Sequence, residues 1–295
     1  MSVSISPFTG KKYGIMRVCD IWGFPRSTFY ERKRCCEKSR EKGKRGPKTK
    51  IDDEKLLALI MCDIEESPFR GEGHRKVWAR LRFRDSVIAG KNRILRIMRE
   101  NSLLSPHRRV KESRVHDGKI ITNSSNVMWG TDGARVLTVD NGLVWIFASM
   151  EHWNAECLGW HVTKRGDRFA ALEPISQGLE RVFGKTCSKI GRGLSLRMDH
   201  GSQYTSDHFQ NQIKYWGFAP SFSFVSEPQT NGVSERFFRT LKEQVIYGRI
   251  FQNVEEVRQA VGKFVELYNE EWLLEKNGFK SPNEARKEYL KKEVA

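Results

Sequence analysis

The sequence predicts an α/β protein in which a mixed β-sheet, with helices on its faces, follows an all-α and strongly basic region. Near Val127 the spacing of apolar residues changes from that of helices to that of strands. Asp140-Asn141-Gly142 separates two apolar runs and is typical of a β-hairpin turn. Charge divides the chain at about the same place: residues 1–118 contain 29 Lys/Arg and 15 Asp/Glu, against 23 and 21 in residues 119–295.

The net charge of +16 lies almost wholly in the front of the chain. This excess favours a nucleic acid partner, and the alternative is a solvated surface that only keeps the protein soluble. The six cysteines form no Cys-x-x-Cys pair and have no histidines at zinc spacing, which indicates reduced thiols in a cytoplasmic protein. The longest apolar stretch, residues 142–150, is too short to cross a bilayer, so we expect no membrane association.

Residues 1–50 are predicted to form a helix–turn–helix segment and a basic linker. Tyr13–Trp22 has an apolar stripe at helical spacing, and Gly23-Phe24-Pro25 interrupts it. We expect Ser27 to cap the second helix. Residues 37–50 contain no apolar side chain except Pro47, which predicts a linker or an arm that lies along DNA.

Residues 51–118 are predicted to form a helical DNA-binding domain. Acidic residues 52–54 favour the start of its first helix, and Lys76–Arg82 and Lys91–Glu100 are the next two. The third helix places three arginines on one face, because they recur at every third position: Arg93, Arg96 and Arg99. Such a face suits a DNA groove and its phosphates, and the alternative is an ordinary solvated face.

Residues 119–248 are predicted to form the α/β core, and residues 249–295 a helical tail. The predicted order of the core is three strands, helix, strand, helix, strand, helix. The predicted strands are Met128–Val139, Leu143–Met150, Glu156–Val162, Leu194–Met198 and Ala219–Val225, and the helices are Arg168–Phe183, Ser206–Trp216 and one from Gly232 to about Val245.

Three acidic residues stand in unusual places in this layout. Asp132 lies within the first strand, where a carboxylate is a poor strand former and is costly to bury. Asp199 ends a strand, and ligand sites of open α/β sheets gather at such ends. Glu235 lies near the start of a helix, after a loop over residues 227–232. Any one of these acids alone is typical of a structural or surface residue, so the prediction depends on all three.

Clustered carboxylates suit metal-assisted phosphodiester chemistry. Two divalent ions roughly 4 Å apart hold the attacking and leaving oxygens of an in-line displacement. Mg²⁺ prefers hard oxygen ligands and retains water, so two or three carboxylates are enough to bind it.

The segments around these acids resemble a known family. TDG around Asp132, MDHGSQYTS around Asp199 and PQTNGVSERFFRTLKEQ around Glu235 are similar to the insertion-sequence transposases of family three, in their OrfB reading frame. The resemblance continues in YGIMRVCDIWGFPRSTFY, RILRIMRENSLLSPHRR and YNEEWLLEKNGFKSPNEA, so it covers nearly the whole chain. It implies an RNase H-like catalytic core, related to retroviral integrases, behind the helical DNA-binding region.

The resemblance also implies roles for individual residues. Asp132, Asp199 and Glu235 would be catalytic and would bind Mg²⁺, for which Mn²⁺ would substitute. Residues near the second and third acids are candidate DNA contacts: His200, Gln203, Arg239 and Lys242. For His200 and Gln203 the alternative is a purely structural role in the loop. Phe237, Phe238 and Leu241 are expected to pack inward.

Three positions depart from the family pattern. Gly133 stands where many relatives have a bulkier residue, and we expect it to loosen the first strand. Glu151 stands where an aspartate is common, and Trp272-Leu273-Leu274 replaces an Arg-x-x-His-like stretch.

The implied function is Mg²⁺-dependent cleavage at the 3′ ends of an insertion sequence, followed by strand transfer. The partners would be double-stranded DNA (terminal inverted repeats and target), further copies of the chain assembled on that DNA, and the product of an upstream reading frame. The expected location is the bacterial cytoplasm, at the nucleoid. Two alternatives remain: a non-catalytic, domesticated DNA-binding protein, and a structure-selective nuclease with the same RNase H-like fold.

Overall fold

A computed structural model describes residues 4–37, 50–105, 121–223 and 231–294 of the chain. It divides into two compact units, Met1–Lys50 and Ile51–Ala295. Most of the predicted linker, the end of the predicted helical domain (residues 106–118) and most of the loop before Glu235 lie outside the described residues.

The first unit contains two helices, α1 (Ile15–Ile21) and α2 (Arg26–Glu37). The prediction that Ser27 caps the second helix was wrong, because that helix already begins at Arg26. The carbonyl of Pro25 accepts a helical hydrogen bond from the amide of Phe29, and proline at a helix start loses nothing by lacking an N–H.

The second unit begins with three helices around a small apolar core of their own. They are α3 (Asp53–Glu66), α4 (His74–Phe83) and α5 (Lys91–Glu100). Asp52 caps α3 by accepting a hydrogen bond from the amide of Lys55 at 2.8 Å. The buried side chains of this core are Leu56, Ile60, Val77, Leu81, Ile94, Ile97 and Met98. Their helical spacing explains why these three segments pack as one bundle.

A five-stranded mixed sheet follows, in the order β3-β2-β1-β4-β5. Its strands are β1 (Met128–Thr138), β2 (Gly142–Glu151), β3 (Cys157–Thr163), β4 (Ser195–Met198) and β5 (Ala219–Phe222). The hairpin β1–β2 and the pair β2–β3 are antiparallel, whereas β4 lies parallel to both β1 and β5. The predicted α/β class, with a mixed sheet behind an all-α region, is confirmed.

Helices cover both faces of the sheet. Between β3 and β5 the chain forms α6 (Arg168–Phe183), α7 (Ser202–Thr205) and α8 (Asp207–Trp216). After β5 it forms α9 (Gly232–Leu241), a π-helical turn (Lys242–Ile246), α10 (Val254–Glu271), a 3₁₀ turn (Glu275–Asn277) and α11 (Pro282–Val294). The helix predicted to continue to about Val245 therefore changes its winding at Lys242.

The two faces have separate apolar cores. Trp129 and Phe147 pack on one face with α6 and α8, while Ala134 and Val136 pack on the other with α9 and α10. Even-numbered residues of β1 therefore face α9, as the alternation of a strand requires. None of the helices in the described ranges combines the length and apolar character that a membrane span needs.

Candidate active site

Asp132 and Asp199 follow paired positions on two neighbouring parallel strands. Gly130 of β1 is paired with Arg197 of β4; Asp132 comes two residues after Gly130 within β1, and Asp199 comes two residues after Arg197, directly after the end of β4. Paired positions project to the same face of a sheet, so both carboxylates lie on the face that α9 covers. Asp132 accepts a hydrogen bond from the amide of Gly133 at 2.7 Å, and Asp199 accepts one from the amide of Gly201 at 2.9 Å.

The environment of Asp132 opposes its ionisation. Burial raises the pKa of this carboxyl to about 6, and the negative charges of Asp199 and Glu235 act in the same direction. The Gly133 amide and the charge of Lys242 lower that pKa in part. Burial also raises the pKa of Glu235. Asp199 and Glu235 are thus near enough for their charges to act on Asp132.

Helix α9 brings Glu235 to this face of the sheet. Phe237, Phe238 and Leu241 are buried in the apolar core against β1, as predicted, and they hold the helix in place. At the start of the helix, the Asn231 amide group donates to the carbonyl of Thr131 at 3.2 Å. The first turn of α9 is therefore tied to the residue that precedes Asp132.

The carboxylate oxygens of Asp132, Asp199 and Glu235 are chemically suited to a hard divalent cation, although the three side chains are not drawn tightly together. In the described part of the chain, no group of three or more His, Cys, Asp or Glu side chains is close enough together to hold a metal ion. The fit to a cation therefore depends on the donor chemistry of the carboxylates and on the environment of Asp132, whose pKa is raised by burial and further by the charges of Asp199 and Glu235.

The candidate DNA contacts near the acids have different surroundings. The His200 ring bonds to the carbonyl of Ser223 at 2.8 Å and stacks on Phe222, which fixes its orientation. Arg239 is mostly exposed and lies 4.0 Å from the Glu243 carboxylate. Lys242 begins the π-helical turn, and its charge reaches Asp132.

The predicted arginine face of α5 is partly paired within the protein. Arg93 and Arg96 both bind the Asp53 carboxylate, with nitrogen–oxygen distances of 2.6 Å. Arg96 also pairs with Glu100, and Arg99 is exposed at the end of the helix. Asp53 thus occupies two of the three guanidinium groups that were predicted to meet DNA.

Tyr204 was missed by the sequence reasoning. Its side chain is fully buried with Phe147 and Phe209 on the face that α6 and α8 cover, and the pKa of its hydroxyl is raised well above the usual value by burial and by the charges of Asp132 and Asp199. A four-residue helix such as α7 is too short to show an apolar period in the sequence, so the burial of Tyr204 is apparent only in the folded structure.

The departures from the family pattern have structural reasons. A Cβ on Gly133 would lie 2.8 Å from the Phe147 ring, so glycine makes room for that ring rather than loosening the strand. Glu151 is buried, and its carboxylate accepts hydrogen bonds from the amides of Asn126 and Trp153. Residues 272–274 are buried in the apolar core or at its edge.

Two family models match parts of the chain. The family described as "Integrase core domain" matches residues 217–282, and the family described as "HTH-like domain" matches residues 52–111. The first match contains Glu235 and α10, and the second contains α3 to α5. These two domains indicate DNA binding. Cores of the integrase superfamily generally depend on a divalent metal.

Curated relatives are similar over most of the chain. Transposase InsD for insertion element IS2A/D/F/H/I/K of Escherichia coli is 28% identical over 241 residues, which are 79% of this chain and 78% of the relative. Transposase InsD for insertion element IS2-9 of Escherichia coli (strain K12) is also 28% identical, over 79% of this chain and 77% of the relative.

Two solved structures are also similar to this chain. The catalytic core domain of BIV integrase is 20% identical, with a TM-score of 0.39, over 57% of this chain and 97% of that one. A chain of the simian T-cell lymphotropic virus intasome, in complex with PP2A regulatory subunit B56 gamma, is 14% identical, with a TM-score of 0.37, over 74% and 68%.

Proposed function

We infer that this chain, which has an integrase core domain and is homologous to insertion-element transposases, is a DNA transposase, and we propose that it cuts and rejoins DNA with Asp132, Asp199 and Glu235. One observation carries the assignment of residues. Asp132 and Asp199 follow paired positions on parallel strands; burial raises the pKa of Asp132 to about 6, and the charge of Asp199 acts in the same direction. A bound cation relieves that repulsion, so the site favours one.

We propose Mg²⁺ as the physiological ion, with Mn²⁺ as a substitute. Asp132 and Asp199 would hold it from the sheet, and Glu235 would approach from α9. When bound, such ions balance the charge that develops on the attacking and leaving oxygens. The chain itself supplies a rigid sheet that orients two carboxylates and a helix that brings the third.

The proposed reaction has two steps. Water attacks the phosphorus at each 3′ end of an insertion sequence, and the bond to the 3′ oxygen breaks, which leaves a free 3′ hydroxyl. That hydroxyl then attacks a phosphodiester of the target, joins to its phosphorus and releases a new 3′ hydroxyl. Neither step needs a covalent protein–DNA intermediate.

Cationic side chains around the acids are proposed to hold the DNA end. Lys242 acts on Asp132 electrostatically, so a phosphate next to the acids lies within its reach. We propose the same kind of contact for Arg239, and further contacts for His200 and Gln203 from the loop after β4. Arg93, Arg96 and Arg99 of α5 are proposed to bind DNA farther from the reaction.

The cellular context is also proposed. The DNA partners would be the terminal inverted repeats of the element and the target duplex. Two ends must be brought together, so copies of the chain would assemble on DNA. The product of an upstream reading frame would join this assembly. The reaction would take place at the nucleoid, in the bacterial cytoplasm.

An assay on a labelled element end with target DNA tests the proposal. The wild-type chain with Mg²⁺ should give cut and joined products. Asp199→Asn should abolish both and leave DNA binding nearly unchanged, because the basic region supplies the affinity. Asp207→Asn is the matched control, since Asp207 is exposed at the start of α8. Cut product alone would indicate a structure-selective nuclease, and bound but intact DNA would indicate a non-catalytic binding protein.

A further inference from the structure

Three polar atoms converge above the main chain of Gly130, two residues before Asp132 on β1. A Cβ at this position would lie 2.7 Å from Ser234 Oγ, 2.9 Å from Asn231 Oδ1 and 2.9 Å from His152 Nε2. Asn231 and Ser234 belong to the start of α9, and His152 follows the end of β2. Three separate parts of the chain therefore meet at one point beside the proposed active site.

All three side chains are withdrawn from solvent. The exposed fraction is 0% for Ser234, 4% for Asn231 and 5% for His152. Within the described residues, neither ring nitrogen of His152, nor Asn231 Oδ1, nor Ser234 Oγ has a hydrogen-bond partner in the static structure. A buried polar atom without a partner is destabilising, so an apolar set of side chains would be more stable here unless these polar groups serve a function.

The three groups are complementary to one another. Burial lowers the pKa of His152 to about 4, and the charges of Lys276 and Arg197 add to the effect, so its ring is neutral near pH 7. A neutral imidazole offers one N–H and one lone pair, a serine hydroxyl both donates and accepts, and an amide oxygen accepts. All three atoms lie within 2.9 Å of one point above Gly130, so His152, Ser234 and Asn231 have the donors and acceptors for one chain of hydrogen bonds.

This group touches the neighbours of two proposed catalytic acids. Ser234 directly precedes Glu235 on α9. The amide nitrogen of Asn231 donates to the carbonyl of Thr131, which directly precedes Asp132. Movement of the first turn of α9 against β1 would therefore change the separation of Glu235 and Asp132.

We propose that His152, Asn231 and Ser234 are positioning residues, which clamp the first turn of α9 over Gly130 and so set Glu235 at the distance from Asp132 that metal binding requires. The inference rests on the proposed function of these acids. It also explains the glycine at position 130, because any side chain there would push the three groups apart.

The experiment compares hydroxyl deletions on one helix. Ser234→Ala removes a buried hydroxyl from the group, and Asn231→Asp removes the donor that reaches Thr131. Thr240→Val is the matched control, because it removes another buried hydroxyl of α9, one that donates to the carbonyl of Arg236 at 2.9 Å, one turn earlier. Gly130→Ala fills the space directly, and Gly130→Ala with Ser234→Ala removes the nearest clashing atom.

Four quantities are measured on each full-length variant: Mn²⁺ affinity by titration without DNA, kcat and KM for cleavage, and the urea midpoint of unfolding. Ser234→Ala and Asn231→Asp should weaken Mn²⁺ binding by about tenfold or more and lower kcat at unchanged KM, as expected when a side chain that orients a metal ligand is lost. Thr240→Val should change neither the Mn²⁺ affinity nor kcat. The double variant should recover part of the Mn²⁺ affinity that Gly130→Ala loses.

Equal Mn²⁺ affinity in Ser234→Ala, Asn231→Asp and Thr240→Val would overturn the inference, as would a wild-type chain that binds no Mn²⁺. If Gly130→Ala does not fold, the other variants still decide, because they add no volume. A wild-type chain that binds Mn²⁺ but does not cleave DNA would contradict the proposed function alone, and the comparison of Mn²⁺ affinities would still judge the positioning role.

Discussion

Gln244 and Arg70 exchange two hydrogen bonds across 174 positions of sequence. The Gln244 side chain accepts from the Arg70 amide at 2.9 Å and donates to the Arg70 carbonyl at 2.7 Å. Nearby, the Phe69 ring packs edge-on against Trp272, with centroids 4.8 Å apart. The segment between α3 and α4 is therefore anchored on the catalytic core by the π-helical turn that follows the helix of Glu235.

Replacing Gln244 with alanine should loosen this anchor. Both hydrogen bonds are exposed, so we expect the free energy of unfolding to fall by only about 1–2 kcal/mol. Urea unfolding measures that change, and hydrogen exchange at the Arg70 amide should become faster. Gln259→Ala, on the exposed face of α10, is the control and should change neither. Unchanged exchange at Arg70 in Gln244→Ala would show that the two bonds do not hold this segment.

Stability without metal should depend on pH through Asp132. Its pKa rises from an ordinary 3.8 to about 6 on folding, so the folded state binds the proton more tightly. The contribution to the free energy of unfolding is therefore present below about pH 4, decreases as pH rises to about 6 and is constant above that. Asp132→Asn should remove this loss and be more stable than the wild type at pH 7, but not at pH 4. Urea unfolding at several pH values, with EDTA present, measures the difference.

A divalent cation should make the wild type more stable than Asp132→Asn at pH 7, the reverse of their order without metal. If the proposed site holds, Mg²⁺ would bind the ionised carboxylates of the folded chain, so it should stabilise the wild type at pH 7 in proportion to the logarithm of its concentration. Asp132→Asn should respond far less. Equal responses of the two proteins would place the cation elsewhere, and Asp207→Asn should respond as the wild type does.

Asp53 should compete with DNA for the arginines of α5. Arg96 and Arg93 lower the pKa of Asp53 from 3.8 to about 2, so its ion pairs stabilise the fold above pH 4 and are lost as pH falls through 2. Asp53→Asn should remove this acid-dependent loss and release both guanidinium groups from Asp53, although Arg93 still donates to the carbonyl of Ile51 and Arg96 still pairs with Glu100. We expect DNA binding to become tighter and its salt dependence steeper, by up to about 0.9 in the log–log slope for each added phosphate contact.

Asp52→Asn is the control for that measurement, because Asp52 caps the same helix and its side chain contacts Lys55. Weaker DNA binding by Asp53→Asn would mean that Asp53 orients the arginines for DNA rather than withholding them. Arg99→Ala, which removes an exposed arginine of the same helix, should flatten the salt response.

Strand and helix identities were predictable because each element has its own apolar period. Arg168–Phe183 and Lys91–Glu100 have the predicted bounds, since Asp167 caps one and Gly90 opens the other. The break at Lys242 was not predictable, because the apolar spacing continues through it and a π-helical turn leaves no mark in composition. The cap at Ser27 was predicted wrongly because serine is a good capping residue, but here it lies one position inside the helix, which begins at Arg26.

The acids of the proposed site were found from their motifs, whereas their supports were not. His152 and Ser234 lie close to Gly130, and the charge of Asp132 acts on Tyr204, only in the folded chain; no spacing along the sequence relates these residues to Asp132. The pairing of Gly130 with Arg197 is what sets Asp132 beside Asp199, and a sequence does not specify which strands become neighbours.

Gly133 provides a test of packing beside the site. It is paired with Phe147 across the hairpin, and a Cβ there would lie 2.8 and 2.9 Å from two carbons of that ring. The ring is fully buried and stacks on Trp145 with centroids 5.5 Å apart, so it has little room to move. Gly133→Ala should therefore lower the free energy of unfolding by about 1–3 kcal/mol, the usual cost of overpacking.

Phe147→Leu alone should also destabilise the protein, because it leaves a cavity. The double variant should be more stable than the sum of the two losses predicts, because the smaller side chain vacates the space that the new methyl group needs. Urea unfolding of all four proteins measures this coupling, and strict additivity would show that β1 shifts away from Phe147 instead.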